Sequence, residues 1–147
     1  MQSSTNYDQA LKRMLTRAHD GLIALLLPGA VWRGELSAEL PASSRIVDLL
    51  WEVSDDAAER LALHLELQTR GDPDIGMRMA DYIIQIYRRY RLPVQSFVIY
   101  LRPDARIIEP PFVIATSQQE LLRCSYGIIK VLNTHTRNSA KCCVFWT

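Results

Sequence analysis

The sequence has few cysteines, few glycines and no long apolar segment. Its three cysteines are Cys124, Cys142 and Cys143, an odd number without the spacing of a disulfide framework or a zinc motif. The six glycines are scattered and form no phosphate-binding loop. The longest uninterrupted apolar run, residues 22–27, is far shorter than the roughly 20 residues of a membrane helix. Residues 1–8 lack the basic and apolar parts of a signal peptide, so we expect a soluble, cytoplasmic protein.

An excess of one charge is lacking as well. The chain has 17 Lys and Arg and 16 Asp and Glu, so its net charge is +1. This excludes a protein that binds nucleic acid only through a large excess of positive charge. The charges are nevertheless unevenly placed, because residues 35–66 are rich in acids and both flanks are basic. The basic flanks contain Lys12, Arg13 and Arg17 on one side and Arg88, Arg89 and Arg91 on the other. A cation site within a phosphate-binding surface fits this pattern, and so do clustered solvated faces.

Apolar periodicity predicts one α/β domain with a mixed sheet. Apolar residues at helical spacing predict helices over 8–27, with an interruption near 19–21, and over 74–91. Alternation predicts strands over 45–53 and 61–69, and apolar runs predict strands over 94–101 and 112–115. We expect residues 30–44 to be irregular. Residues 117–120 resemble a helix capping box, although residues 126–132 are apolar enough for a strand.

The two alternating strands are most simply an antiparallel hairpin. If its loop is symmetric about Ala57, Asp48 and Glu66 lie opposite each other with Cβ atoms roughly 5 Å apart. Like charges in that position are destabilising unless something positive lies between them. The two carboxylates, with Gln68 two residues on and the Leu67 carbonyl between, therefore suggest a site for Mg²⁺ or Mn²⁺. The alternative is a solvated sheet face on which acids have no special role.

The motifs in their order resemble the PD-(D/E)XK nuclease superfamily, in particular its bacterial recombination-promoting nuclease and putative-transposase branch. The segment Arg-Ile-Val-Asp48-Leu-Leu and the later His64-Leu-Glu66-Leu-Gln68 carry the resemblance. An N-terminal Asp-Gln-Ala-Leu-Lys12 is similar to the branch's Asp-x-x-Phe-Lys element. The segment Met-Arg78-Met-Ala-Asp-Tyr is similar to its Arg-Met-x-x-Tyr segment.

This resemblance implies a restriction-endonuclease-like α/β fold, a mixed β-sheet flanked by helices, and a metal-dependent endodeoxyribonuclease that hydrolyses DNA phosphodiester bonds. Asp48, Glu66 and the Leu67 carbonyl hold the metal in this interpretation, and Gln68 orients the attacking water. Lys12 and Arg78 contact a DNA phosphate, and Lys12 also supplies the positive charge that a lysine would bring at position 68. DNA is the implied partner, no membrane is involved, and a homodimer stays an open alternative.

The chain departs from the family pattern at Gln68, which replaces a lysine, and at its C-terminus. Relatives continue well past residues 126–130, whereas this chain ends at Thr147 in an unfamiliar segment. Both departures favour a second hypothesis, a catalytically inactive, truncated family member that binds DNA or protein. We assign residues 1–133 to the nuclease-like domain and expect residues 134–147 to form a mobile tail, in which the role of Cys142 and Cys143 stays open.

Five further side chains have a structural and a functional interpretation. His64 shares the polar strand face with Glu66, and we expect a half-exposed histidine rather than a base or ligand. Arg78 binds either a carboxylate of the site or a phosphate, or forms a surface ion pair. The tyrosines Tyr82, Tyr87 and Tyr90 fall on the apolar side of their helix, and we expect them in the core.

Overall fold

A computed structural model describes residues 3–39, 47–131 and 144–145 of the chain. The N-terminal helical segment consists of two helices, α1 over Ser3–Arg17 and α2 over His19–Leu26. The helical segment is interrupted as predicted, but the break lies at Ala18, and residues 19–21, where it was predicted, form the first turn of α2. The break brings the His19 ring onto Trp32, with ring centroids 4.4 Å apart and the rings nearly parallel. No helix among the described residues is long and apolar enough to cross a membrane.

Six strands form a mixed sheet in the order β1-β2-β3-β4-β7-β8, which confirms the predicted α/β class with a mixed sheet. Their bounds are Val31–Glu35 (β1), Leu49–Ser54 (β2), Arg60–Gln68 (β3), Val94–Tyr100 (β4), Gly127–Lys130 (β7) and Val144–Phe145 (β8). Strand β2 runs antiparallel to both of its neighbours, β1 and β3, and β4 and β7 continue the sheet parallel to β3.

The expectation of irregular structure after residue 30 is wrong for Val31–Glu35. This segment is β1, an edge strand paired antiparallel with β2. Its side chains are half-buried at best, and the pairing is irregular between Trp32 and Gly34. Because the strand is stabilised by its neighbour more than by its own apolar pattern, alternation alone does not identify it.

The central hairpin has the register that a symmetric loop predicts. Leu49 pairs with Leu65 and Ser54 with Arg60, so the pairing is centred on Ala57. Trp51, Leu63 and Leu65 lie on the predicted apolar face, in a core that Ile23 and Leu26 of α2 share. Strand β2 begins at Leu49, four residues after the predicted start, and the sequence 40–46 lies outside the described residues.

The opposite face of the hairpin is not solvated, which overturns the wet-face alternative. Helix α3, over Ile75–Tyr90, connects β3 to the parallel strand β4 and packs on this face. His64 is fully buried, so its predicted half-exposure is wrong, and Glu66 is only 6% exposed. A crossover helix between parallel strands covers the sheet face beneath it, and this tertiary contact is not encoded in the hairpin.

Helix α3 follows its predicted span to Tyr90, and the next residue, Arg91, caps it in the left-handed conformation. Tyr82 is buried as predicted, whereas Tyr87 is half exposed at the helix end, where Arg91 lies over its ring. The amphipathic pattern therefore predicts the middle of the helix better than its last turn.

The region after β4 contains a small antiparallel hairpin, β5 over Phe112–Ala115 and β6 over Glu120–Cys124. The predicted strand over 112–115 is confirmed, whereas a helix starting at the capping-box sequence is wrong, because Glu120–Cys124 is strand β6. In the turn of this hairpin, Thr116 Oγ1 accepts hydrogen bonds from the backbone N–H groups of Gln118 and Gln119. Predicted strand 126–132 is β7. Val144 and Phe145 form β8, which pairs antiparallel with β7. The other residues of the tail that we expected to be mobile, 134–143 and 146–147, lie outside the described residues.

Candidate functional site

Asp48 and Glu66 lie at the same end of the β2–β3 hairpin, as the hairpin register predicts. Asp48 directly precedes β2 and Glu66 lies near the end of β3, one step beyond the Leu49–Leu65 pair. The backbone N–H of Leu67 donates a 2.8 Å hydrogen bond to Asp48 Oδ2. If the β2–β3 pairing continued beyond Leu49, a backbone carbonyl would accept this bond from Leu67. The Asp48 carboxylate accepts it instead.

Lys12 of α1 crosses to this end of the sheet and contacts the first carboxylate. Its Nζ lies 2.6 Å from Asp48 Oδ1 and 3.1 Å from Asp8 Oδ2. Asp8 and Lys12 are four residues apart on one helix face, so Asp8 holds the ammonium in place from its own helix. The sequence proposed Lys12 as the charge that replaces a lysine at position 68, and the structure places it beside Asp48.

Glu66 has its own cation, Arg78 from the first turns of α3. Arg78 Nη2 lies 2.6 Å from Glu66 Oε1, and Arg78 Nη1 lies 2.7 Å from Asp72 Oδ2. Arg78 therefore binds a carboxylate of the site, one of the alternatives that the sequence left open, and the surface ion pair is excluded because Glu66 is buried. The guanidinium spans two carboxylates, a geometry that its planar fork suits.

His64 lies behind Glu66 in the core. Its Nδ1 is 3.2 Å from Ser96 Oγ of β4, and its ring meets Tyr82 edge-on at 5.4 Å. Its Nε2 lies 3.8 Å from Glu66 Oε2, too far for a hydrogen bond. Both Nε2 and Oε2 are buried and have no hydrogen-bond partner within the described part of the chain, and a buried polar atom without such a partner costs stability.

Burial and the second carboxylate shape the electrostatics of Asp48. Burial is the largest cause that raises the pKa of Asp48 above its usual value, and the charge of Glu66 raises it further. The bonds from Lys12 and Leu67 oppose this rise without cancelling it. Burial by itself would lower the pKa of Lys12, but the hydrogen bonds and charges of Asp48 and Asp8 together outweigh burial and raise it. Asp48 and Glu66 are thus electrostatically coupled, as opposed carboxylates should be.

The raised pKa of Asp48 predicts a pH dependence of stability. The native state binds a proton at Asp48 more tightly than the unfolded chain does, so this group destabilises the fold at neutral pH. That cost disappears as the pH falls through the raised pKa towards the ordinary value of 3.8. We therefore expect the unfolding free energy of the metal-free wild type to rise relative to that of Asp48→Asn between pH 7 and pH 4, measured by urea denaturation. A difference that stays constant over this range would contradict the coupling.

The donor atoms of the site fit a hard divalent cation. The Asp48 and Glu66 carboxylates offer oxygen ligands, and Glu66 Oε2 accepts no hydrogen bond from any residue that the structure describes. The Leu67 carbonyl leaves β3 on the same side as its N–H, which faces Asp48. Mg²⁺ uses one or two carboxylates and keeps several waters, so it does not need a third acid. The described residues contain no group of three or more His, Cys, Asp or Glu side chains placed to hold a metal ion.

Gln68 ends β3, two residues after Glu66 and half-buried, so it lies at the site without being enclosed. Sequence reasoning missed two contributors, Asp72 and Ser96. Asp72 precedes α3 in a polar turn and nothing in its spacing signals a bond to Arg78. Ser96 lies opposite His64 only because β4 is parallel to β3 in this register. Cys142 and Cys143 lie outside the described residues, and Cys124 is buried and free.

Comparisons of the chain with protein-family models, with curated proteins and with solved structures give no match.

Proposed function

We propose that the chain is a metal-dependent endodeoxyribonuclease with a restriction-endonuclease-like fold, related to the PD-(D/E)XK superfamily and to its recombination-promoting branch. The observation that carries the proposal is the meeting of Asp48 and Glu66 at one end of a mixed sheet. Each belongs to a motif that resembles the family. Glu66 is 6% exposed and its charge raises the pKa of Asp48, which supports the proposal that a cation lies between the two carboxylates. The helices on both sheet faces agree with the architecture that the resemblance implies.

In this proposal Asp48, Glu66 and the Leu67 carbonyl hold Mg²⁺ or Mn²⁺. When bound, the ion lowers the pKa of a coordinated water and neutralises charge on the phosphate. Gln68 orients the attacking water through its amide. Arg78 holds the Glu66 carboxylate in place through a 2.6 Å contact with Oε1.

Lys12 supplies the positive charge that Gln68 cannot. An ammonium beside the scissile phosphate stabilises the negative charge that develops there, and one such preorganised group contributes about 10²- to 10³-fold in rate. Lys12 sits on Asp48 at 2.6 Å and is held by Asp8, so it is already placed at the ligand end of the site. In this proposal a lysine of α1 has the role that the family pattern gives to a lysine of the strand.

This assignment predicts a rescue. We expect Lys12→Met to reduce Mg²⁺-dependent nicking of supercoiled plasmid about 10²- to 10³-fold. Adding Gln68→Lys to that variant restores the charge from the strand and should recover most of the loss. Lys130→Met, which removes a lysine from β7, serves as the charge-matched control and should retain activity. Full activity in Lys12→Met, or a folded double variant without recovery, would contradict the role of Lys12.

A second candidate function is a binding module that keeps the fold without the chemistry. It is favoured by the two ion pairs, because Lys12 and Arg78 already neutralise both carboxylates without a metal. Such a module has no need to bind a cation. Isothermal titration with Mg²⁺ separates the two functions: binding that is lost in Asp48→Asn supports the nuclease, and no binding in the wild type supports the module.

A further inference from the structure

The side chain of His64 uses only one of its two ring nitrogens in a hydrogen bond with the residues that the structure describes. Nδ1 lies 3.2 Å from Ser96 Oγ, and the ring packs edge-on against Tyr82 in the core. The other nitrogen, Nε2, is buried and unbonded within the described ranges. An apolar side chain of similar volume would fill this place without leaving a buried nitrogen unbonded. Core packing therefore does not account for a histidine here.

The unbonded nitrogen lies next to the inner oxygen of Glu66. The distance from His64 Nε2 to Glu66 Oε2 is 3.8 Å, and Oε2 accepts no hydrogen bond from the described part of the chain. An N–H···O hydrogen bond reaches about 3.2 Å, so a movement of about 0.6 Å would join the two atoms. Because a buried donor and a buried acceptor recover free energy when they meet, this movement is favourable in itself.

The contact that holds Glu66 away from His64 is the ion pair with Arg78. Arg78 Nη2 lies 2.6 Å from Glu66 Oε1, and Asp72 holds the same guanidinium through a 2.7 Å contact. Since Oε2 is buried, a cation that enters the candidate site reaches the carboxylate at Oε1. This oxygen has a lone pair for each cation, but the two cations repel each other, so the ion weakens the hold of Arg78. The carboxylate can then turn towards His64.

The two neighbours of His64 favour the tautomer that carries its proton on Nε2. A carboxylate beside Nε2 attracts the proton to that nitrogen, and the Ser96 hydroxyl can donate to the deprotonated Nδ1. Ser96 lies opposite His64 because β4 is paired parallel with β3 in this register. In this tautomer the Nε2–H group is a donor placed beside Glu66.

We propose that His64 is a positioning residue for Glu66: its Nε2–H donates to Oε2 when a divalent cation binds, and this bond keeps Oε1 turned towards the ion. The inference rests on the proposed function for the cation at Asp48 and Glu66. His64 contacts neither the ion nor DNA, and it takes no part in bond cleavage. It acts through Glu66, as the outer partners of metal ligands do, and loss of such a partner lowers metal affinity about 10- to 100-fold.

The test is isothermal titration of Mg²⁺ into two amide variants that differ in reach. The amide of glutamine extends to the place of Nε2, so His64→Gln keeps a donor for Glu66. The amide of asparagine is one carbon shorter and ends near the place of Nδ1, so His64→Asn keeps a partner for Ser96 alone. We expect the Kd for Mg²⁺ to rise about 10- to 100-fold in His64→Asn and to stay within about threefold of the wild-type value in His64→Gln.

The control for a lost polar contact in the core is Gln85→Met. Gln85 is buried, donates to Asp81 and lies about 10 Å from Arg78 along the axis of α3. This variant loses a core hydrogen bond, and its Kd should stay within about threefold of the wild-type value.

If His64→Asn does not fold, Ser96→Ala decides the test. It removes the hydroxyl that fixes the tautomer of His64, and one such hydrogen bond corresponds to a rise in Kd of about fivefold. An unchanged Kd in Ser96→Ala would then overturn the inference.

The outcomes separate this inference from the proposed function. A wild-type Kd in folded His64→Asn, or equal rises in His64→Asn and His64→Gln, would overturn the role of His64 and leave the proposed metal site intact. A rise of the same size in Gln85→Met would also overturn it, because any lost polar contact in the core would then weaken metal binding. A wild type that binds neither Mg²⁺ nor Mn²⁺ would contradict the proposed function and this inference together.

Discussion

Replacement of Arg78 with methionine is expected to lower the unfolding free energy by about 3 kcal/mol, because it leaves the Glu66 carboxylate buried without its cation. For a chain of this length the loss corresponds to a fall of about 10 °C in Tm. The Glu66 side chain is 7% exposed and its bond to Arg78 is 2.6 Å, so little solvent is present to replace the guanidinium. Thermal unfolding followed by circular dichroism measures the effect.

The matched control for this variant is Arg123→Met. Arg123 binds Glu120 at the same distance of 2.6 Å, but both side chains are well exposed. An exposed pair contributes about 0–1 kcal/mol, so the control should lose no more than a few degrees. Adding Glu66→Gln to Arg78→Met removes the buried charge and should recover part of the stability. Equal effects of Arg78→Met and Arg123→Met would show that burial of Glu66 does not matter.

Replacement of Asp48 with asparagine is expected to abolish the stabilisation of the protein by Mg²⁺. A ligand that binds only the native state stabilises it by mass action, about 2.7 kcal/mol at a concentration of 100 times Kd. In the wild type this should raise Tm by several degrees. Asparagine removes the anionic ligand but still accepts the Leu67 N–H, and it relieves the repulsion between Asp48 and Glu66.

Stability without metal should therefore change little or increase in Asp48→Asn. The control is Asp104→Asn, an exposed aspartate paired with Arg102 in a turn, which should keep the full Mg²⁺ response. An unchanged response in Asp48→Asn would remove Asp48 from the site. A strong loss of metal-free stability would instead show that the Lys12–Asp48 bond is chiefly structural.

The opposition of Asp48 and Glu66 could be predicted from the sequence because it depends on a short symmetric loop and a period of two. Both are local properties, and the register follows from them. The charge of Lys12 could be named as a candidate, but its position depends on how α1 packs against the sheet, which no spacing encodes. The Asp8–Lys12 spacing is the local part of that arrangement.

The burial of His64 and Glu66 could not be predicted from the hairpin, since it depends on α3 covering the second sheet face. A strand that alternates polar and apolar residues is typical of a half-solvated sheet, and here the polar face is closed by a crossover helix. Because α3 packs on this face, Arg78 binds the buried Glu66 and does not form a surface ion pair. Strand β1 was not predicted for a related reason: it is stabilised by its pairing with β2 and not by an apolar pattern of its own.

The central claim is that Asp48 and Glu66 together hold a metal that cleaves DNA. It is tested most directly by nicking of supercoiled plasmid by the wild type, Asp48→Asn and Glu66→Gln, each with Mg²⁺ and with EDTA. We predict relaxed plasmid with the wild type and Mg²⁺ only, and no product from either folded variant. Nicking that persists in both variants, or a folded wild type that leaves the plasmid intact with Mg²⁺ and with Mn²⁺, would contradict the claim.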